Sequence, residues 1–168
     1  MTRDTAKPIV MRALAFAGTF TLSLVMVSGL PSVRERRQRS FAQAAMDGSL
    51  RRLQLLHLTG ADVTARGYCC APLFLAAGQG RATVVRYLLD EGADVNAREK
   101  LGGTPLMEAA YFGYLEVIKE LLFRGAEINA IGNDGTALDI AMSRNNPAAV
   151  DLLKHYGGKR ACEISKCI

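Results

Sequence analysis

Beyond residue 39 this 168-residue chain has no net charge. The formal charge of +5 resides in residues 1–39, where Arg3, Lys7, Arg12, Arg34, Arg36, Arg37 and Arg39 meet only Asp4 and Glu35. Residues 40–168 hold 14 basic and 14 acidic side chains. A broad basic footprint for DNA or RNA is therefore missing there, and nucleic acid is not an expected partner. Histidine is scarce: His57 and His155 are the only two, and neither has a Cys, Ser or carboxylate at a recurrent catalytic spacing. No glycine loop able to cradle a phosphate occurs, and the pair Gly102-Gly103 precedes no basic residue. These absences argue against an enzyme and against a bound cofactor or metal. What is plentiful is apolar side chain, 49% of the residues, enough for one modest domain.

Charge is missing altogether from "ALAFAGTFTLSLVMVSGL", residues 13–30, which follow Arg12 and end at Pro31. Eighteen residues lie at the lower edge of a membrane-spanning helix. The core from Ala13 to Val27 has the length of a signal-peptide apolar region, with the small residues Val27 and Gly29 placed for cleavage after Gly29. Residues 1–29 are therefore expected to be a cleaved export signal, which places the mature protein in the periplasm or outside the cell. Retention as a signal anchor, with membrane contact through residues 13–30, is the alternative, because Arg34 to Arg39 are placed to hold the following side in the cytoplasm. Residues 30–39 contain "SVRERRQR" and read as a basic, solvated linker. The folded part is expected to begin near Ser40.

From there landmarks recur. Gly60, Gly92, Gly125 and Gly157 are spaced by 32, 33 and 32 residues, the period of a stacked array. Within "GGTPLMEAAYFGYLEVIKELLFRGAEINA", residues 102–130, Leu106, Ala109 and Ala110 share one helical face. Thr104 stands at the N-cap and Pro105 at the first helical position. Gly113 breaks that helix, and "YLEVIKELLF" starts a second with Leu115, Ile118, Leu121 and Leu122 on one face, closed by Gly125 as a left-handed cap. The tail "AEINAIGNDGT" alternates and turns at Asp134-Gly135, as an extended finger does.

Thr104-Pro105-Leu106, Ala109-Ala110, Gly113 and Leu121-Leu122 with Gly125-Ala126 resemble the ankyrin repeat. The resemblance covers about four repeats, 40–65, 66–97, 98–130 and 131–157, followed by a tail, 158–168. It implies an all-α solenoid of stacked helix-turn-helix repeats with β-hairpin fingers. Two departures stand out. Phe74, Met107 and Asp139 occupy the position where the family usually has His, which predicts loss of that residue's hydrogen bond to the Thr. In the last repeat Asn145-Asn146-Pro147 replaces the glycine turn, and the end repeats read as caps. His57 stands where Leu89 and Leu122 do, which predicts a structural role against the linker or the capping surface. His155 falls in the last turn of the last helix.

The resemblance also implies binding of another protein, by a monomer, through the concave face lined by fingers and first helices. On that face the two positions after the alanine pair are Gly78-Gln79, Tyr111-Phe112 and Ser143-Arg144, with Tyr111 and Phe112 the expected anchors. Arg98, Lys100 and Leu101, with Arg66, Tyr68 and Asn133 on neighbouring fingers, would form the rim. Cys69-Cys70 and Cys162 with Cys167 would then lie about 20 Å apart, at least two helix layers, too far to share a zinc ion. In an exported chain Cys162 and Cys167 are candidates for a disulfide; in a reduced compartment all four remain thiols. Three functions stay open: an exported or membrane-associated interaction scaffold, a membrane-tethered module regulating or stabilising an enzyme or transporter, and a secreted effector acting on host proteins.

Overall fold

Each periodic glycine closes a helix in the left-handed conformation that side chains disfavour. The φ values are 93° at Gly60, 86° at Gly92, and 84° at both Gly125 and Gly157. The next N–H then reaches back five residues to a helix carbonyl, Ala93 to Leu88 and Ala126 to Leu121, both at 2.9 Å. A computed structural model describes residues 31–65 and 70–165. The repeats lie in the compact unit 35–168.

The helices are α1 (Pro31–Asp47), α2 (Leu50–Leu58), α3 (Pro72–Gly78), α4 (Ala82–Asp90), α5 (Pro105–Phe112), α6 (Leu115–Phe123), α7 (Ala137–Ser143), α8 (Pro147–His155) and a short α9 (Ala161–Ile164). Helices α3, α5 and α7 form one row and α4, α6 and α8 a second, each helix packing on its own hairpin mate and on its row neighbours. The first row approaches closely because its contact positions are small: Ala76, Ala77, Ala109, Ala110 and Ala141 have no exposed surface. The second row fills the space behind with Val84, Val85, Leu88, Val117, Ile118, Leu121 and Leu153, all fully buried. Among the described residues the fingers contain no strand, and only Gly132 and Gly135 pair as an isolated antiparallel bridge. They are tight turns more than β-hairpins.

Repeats are also tied by polar contacts at the finger bases. Asn96 Oδ1 accepts from Glu127 N at 2.8 Å and Asn129 Oδ1 from Lys159 N at 2.7 Å, one repeat apart each time. In the first repeat Gln38 does similar work: its Nε2 donates to the carbonyls of Asp62 and Ala65 at 2.6 and 2.7 Å, and its Oε1 accepts from Asp62 N. Gln38 belongs to the segment expected as a linker; residues 31–39 are instead the first part of α1, because this side chain and the buried Phe41, Ala44 and Ala45 give that helix a face to pack. His57 sits between the first two repeats instead of at an outer surface. Its Nδ1 is 3.2 Å from Ala61 O, its Nε2 3.4 Å from Glu91 Oε2, and its ring lies 6.3 Å from the rings of both Phe41 and Tyr87.

In the last repeat Asn145 adopts φ 56°, replacing the left-handed glycines Gly80 (68°) and Gly113 (75°). Asn tolerates that region better than most side chains, so the turn keeps its form. Thr104 caps α5 by accepting from Met107 N at 3.3 Å. At α7 the expected loss of a hydrogen bond to the Thr is overturned: Asp139 and Thr136 form a reciprocal capping box, with Asp139 Oδ2 accepting from Thr136 N at 3.1 Å. The same carboxylate accepts from Ala161 N at 2.7 Å and Arg160 Nε at 3.0 Å, so the segment read as a tail is latched to the last repeat.

Partial burial works against ionising Asp139, but the amides of Ala161 and Thr136, the Arg160 guanidinium and the Thr136 hydroxyl outweigh it and hold its pKa down, from 3.8 to about 2. A depressed carboxyl stabilises the fold above its unfolded value and loses that contribution as pH falls through about 2. Asp139→Ala is therefore expected to cost about 1 kcal/mol near neutral pH, the scale of a lost cap. Denaturation curves should show the gap to the native chain closing near pH 2; a gap independent of pH would contradict the assignment.

No described helix is long and apolar enough to cross a membrane. Residues 13–30, the expected export signal or anchor, lie outside the described residues.

Candidate partner-binding groove

First helices and fingers enclose an open cavity of ≈ 840 Å³. Its floor runs along α5, where Met107 and Glu108 are adjacent and each stands about one turn before Tyr111, and Phe74 of α3 and Ile140 of α7 occupy equivalent ground in the neighbouring repeats. The walls are the finger tips, Glu99 to Leu101 on one and Gly132 to Asp134 on the other, with Ser143 and Arg144 at the end of α7. The fingers are held by their own turns. Glu99 N donates to Gly103 O at 2.9 Å, Glu99 Oε1 accepts from Ala71 N at 2.8 Å, and Arg98 donates to Ile131 O at 3.0 Å. Leu101 is consequently thrust outward at 71% exposure on the groove's rim.

Tyr111 is the central side chain. The guanidinium of Arg144 lies 3.8 Å above its ring centre, within cation–π range, and Asn146 Nδ2 donates to the Tyr111 carbonyl at 2.9 Å. Repeat four thus fixes both the ring and the backbone of repeat three. Glu108 lies beside it, half-buried, where burial pushes its carboxyl pKa above the ordinary value.

Of the residues expected at the interface, Tyr111, Ser143, Arg144, Lys100, Leu101 and Asn133 line this one cavity. Gly78 does not: it is buried in α3, and a Cβ there would stand 2.9 Å from Glu108 Cγ. It makes room for a groove residue and presents nothing itself. Gln79 is exposed at the end of α3 but outside the groove wall. Phe112 is 47% exposed and also off the groove, stacked 5.7 Å from Tyr114 with its ring at 71° to that of Tyr111. One residue's advance along a helix rotates the side chain by roughly a quarter turn, which separates these two aromatics. Arg98 lines a separate depression with Glu127 and Ile131, and lies 3.8 Å from the Glu127 carboxylate. Arg66 and Tyr68 lie outside the described residues, as does Cys167; Cys162 is exposed. His155 packs edge-on against Tyr156, 5.5 Å between rings.

Phe74, Met107, Glu108 and Ile140 escaped the sequence reading. The signal for the first two was present: they are the apolar residues at the family's His position. Glu108 was legible as the residue one helical turn before Tyr111.

Paired helices stacked in two rows with a groove along the first row define a helical repeat module for binding. A sequence profile described as ankyrin repeats, three copies, matches residues 41–132. The chain belongs to the ankyrin-repeat family. Ankyrin repeats are in general protein–protein interaction modules, typically non-enzymatic scaffolds. A similar protein is the human (Homo sapiens) "Ankyrin repeat and KH domain-containing protein 1", 44% identical over 88 residues. That match takes in 51% of this chain but 4% of the human protein.

Proposed function

We propose that this chain is a non-enzymatic, monomeric interaction module whose protein partner docks in the groove between Phe74 and Arg144. The observation that carries the reading is Tyr111: a half-buried aromatic at the centre of an open groove whose apolar floor spans three repeats. Rigid aromatics in such positions supply much of the energy of known interfaces. A photo-reactive phenylalanine at Leu101, on the groove rim, should cross-link the partner. The same group at Phe123, 82% exposed on α6 and outside the groove wall, should not. Equal capture at both positions, or capture at 123 alone, would place the interface elsewhere.

The module acts outside the cytoplasm or at a membrane, a reading that rests on the uncharged run 13–30 and its flanking arginines. Sequencing the mature N-terminus should find a chain beginning near Leu30. In that exported form, mass spectrometry after alkylation should find Cys162 bridged to Cys167. A soluble mature protein with Met1 or Met11 intact would contradict export by a cleaved signal.

A further inference from the structure

We infer that the groove selects partners carrying a basic side chain, Lys or Arg, whose cation pairs with Glu108 on the floor; this rests on the docking reading above and names its chemistry. The other partly buried carboxylates near the repeat interfaces are engaged. Glu99 takes the amide of Ala71, Glu120 takes Arg86 and Arg124, and Asp139 takes Arg160 and Ala161. The Glu108 carboxylate makes no hydrogen bond or ion pair among the described residues, although the residue is half-buried and Gly78, without a side chain, stands beside it.

The groove's own cations do not fill this place. Arg144 is stacked on Tyr111, and Lys100 is exposed on a finger tip. Carboxylates outnumber cations around the cavity, with Glu99, Glu108 and Asp134 against those two. A carboxylate that has lost part of its hydration without gaining a partner is an unfavourable arrangement in the empty groove, and an incoming cation relieves it. The reduced dielectric strengthens such a pair relative to one on the open surface. A lysine or arginine suits the surroundings in a second respect, because its aliphatic stem can lie along Met107, Phe74 and the Tyr111 ring while its head reaches the carboxylate. A bare metal ion has no comparable fit: no group of three His, Cys, Asp or Glu among the described residues is placed to hold one.

The test is selection of a random-peptide display library on the full chain, followed by affinity measurements on the enriched peptides. They should share a Lys or Arg at one position. Glu108→Gln, which keeps the side chain's shape, should bind them at least about tenfold more weakly, the effect of losing one charged hydrogen bond. Replacing the shared basic residue by norleucine should cost as much on the native chain and nothing further on Glu108→Gln. Exchanging Lys for Arg in the peptide separates the two cations. Peptides that lose affinity on Tyr111→Ala but show no basic preference and no response to Glu108→Gln would overturn this inference and leave the groove standing. Peptides indifferent to Tyr111→Ala, or none enriched at all, would overturn both. Because the norleucine exchange is read on the native chain, the result does not depend on how well Glu108→Gln folds.

Discussion

Leu121→Ala should cost about 2 to 5 kcal/mol of folding free energy, and Leu106→Ala a similar amount, the range for a buried leucine cut to alanine. Leu121 has no exposed surface and sits on α6 between α4 and α8; Leu106 is 1% exposed on α5 between α3 and α7. Each cavity therefore opens at a repeat in the middle of the array and loosens contacts with both neighbours. In a solenoid stability is close to a sum of repeat and nearest-neighbour terms, so damage there interrupts the chain of couplings that makes unfolding cooperative. Urea denaturation should show a lower midpoint, with a reduced slope if the two halves begin to melt separately. Phe123, on the same helix but 82% exposed, supplies the comparison: Phe123→Ala should stay within about 0.5 kcal/mol. Similar costs at 121 and 123 would contradict the assignment of the inner face of α6.

Tyr111→Ala should weaken partner binding by roughly 2 kcal/mol or more, about thirtyfold, as loss of a central aromatic anchor does. Its neighbour Phe112 is expected to behave differently, although the two look alike in the sequence. Phe112 lies outside the groove wall against Tyr114, so Phe112→Ala should leave affinity within about 0.5 kcal/mol. Tyr111 is half-buried, and its removal should cost less stability than removal of Leu121, with Arg144 freed from its ring. Thermal melting and titration of the same two variants separate these effects. If Phe112→Ala destroyed binding and Tyr111→Ala did not, the partner would sit on the turn side of the helices.

Short-range rules made the repeats legible. The glycine period, the Thr-Pro helix start and the one-sided leucines are local features, and the structure places Leu106, Ala109, Ala110, Ile118 and Leu121 inside. What escaped depends on contacts between distant residues. A basic, polar segment looked like linker because Gln38 finds its acceptors 24 and 27 residues away, in the first finger. Asp139 looked like the loss of a family contact because its role emerges only when the segment from Lys159 to Ala161 folds back on it. In the groove, six of the expected side chains converge on one cavity. Gln79 and Phe112 fall outside the cavity because each follows the groove position by one residue, roughly a quarter turn of the helix, and Gly78, at the position of Tyr111, is buried and has no side chain to present.

Amide hydrogen exchange on the full chain, alone and saturated with the partner cross-linked at position 101, tests the central claim most directly. The groove account predicts new protection at Glu99–Leu101, Gly132–Asp134 and Ser143–Arg144, with α6 and α8 unchanged. Protection confined to Leu115–Phe123 and Pro147–His155, with the two fingers exchanging as before, would contradict it.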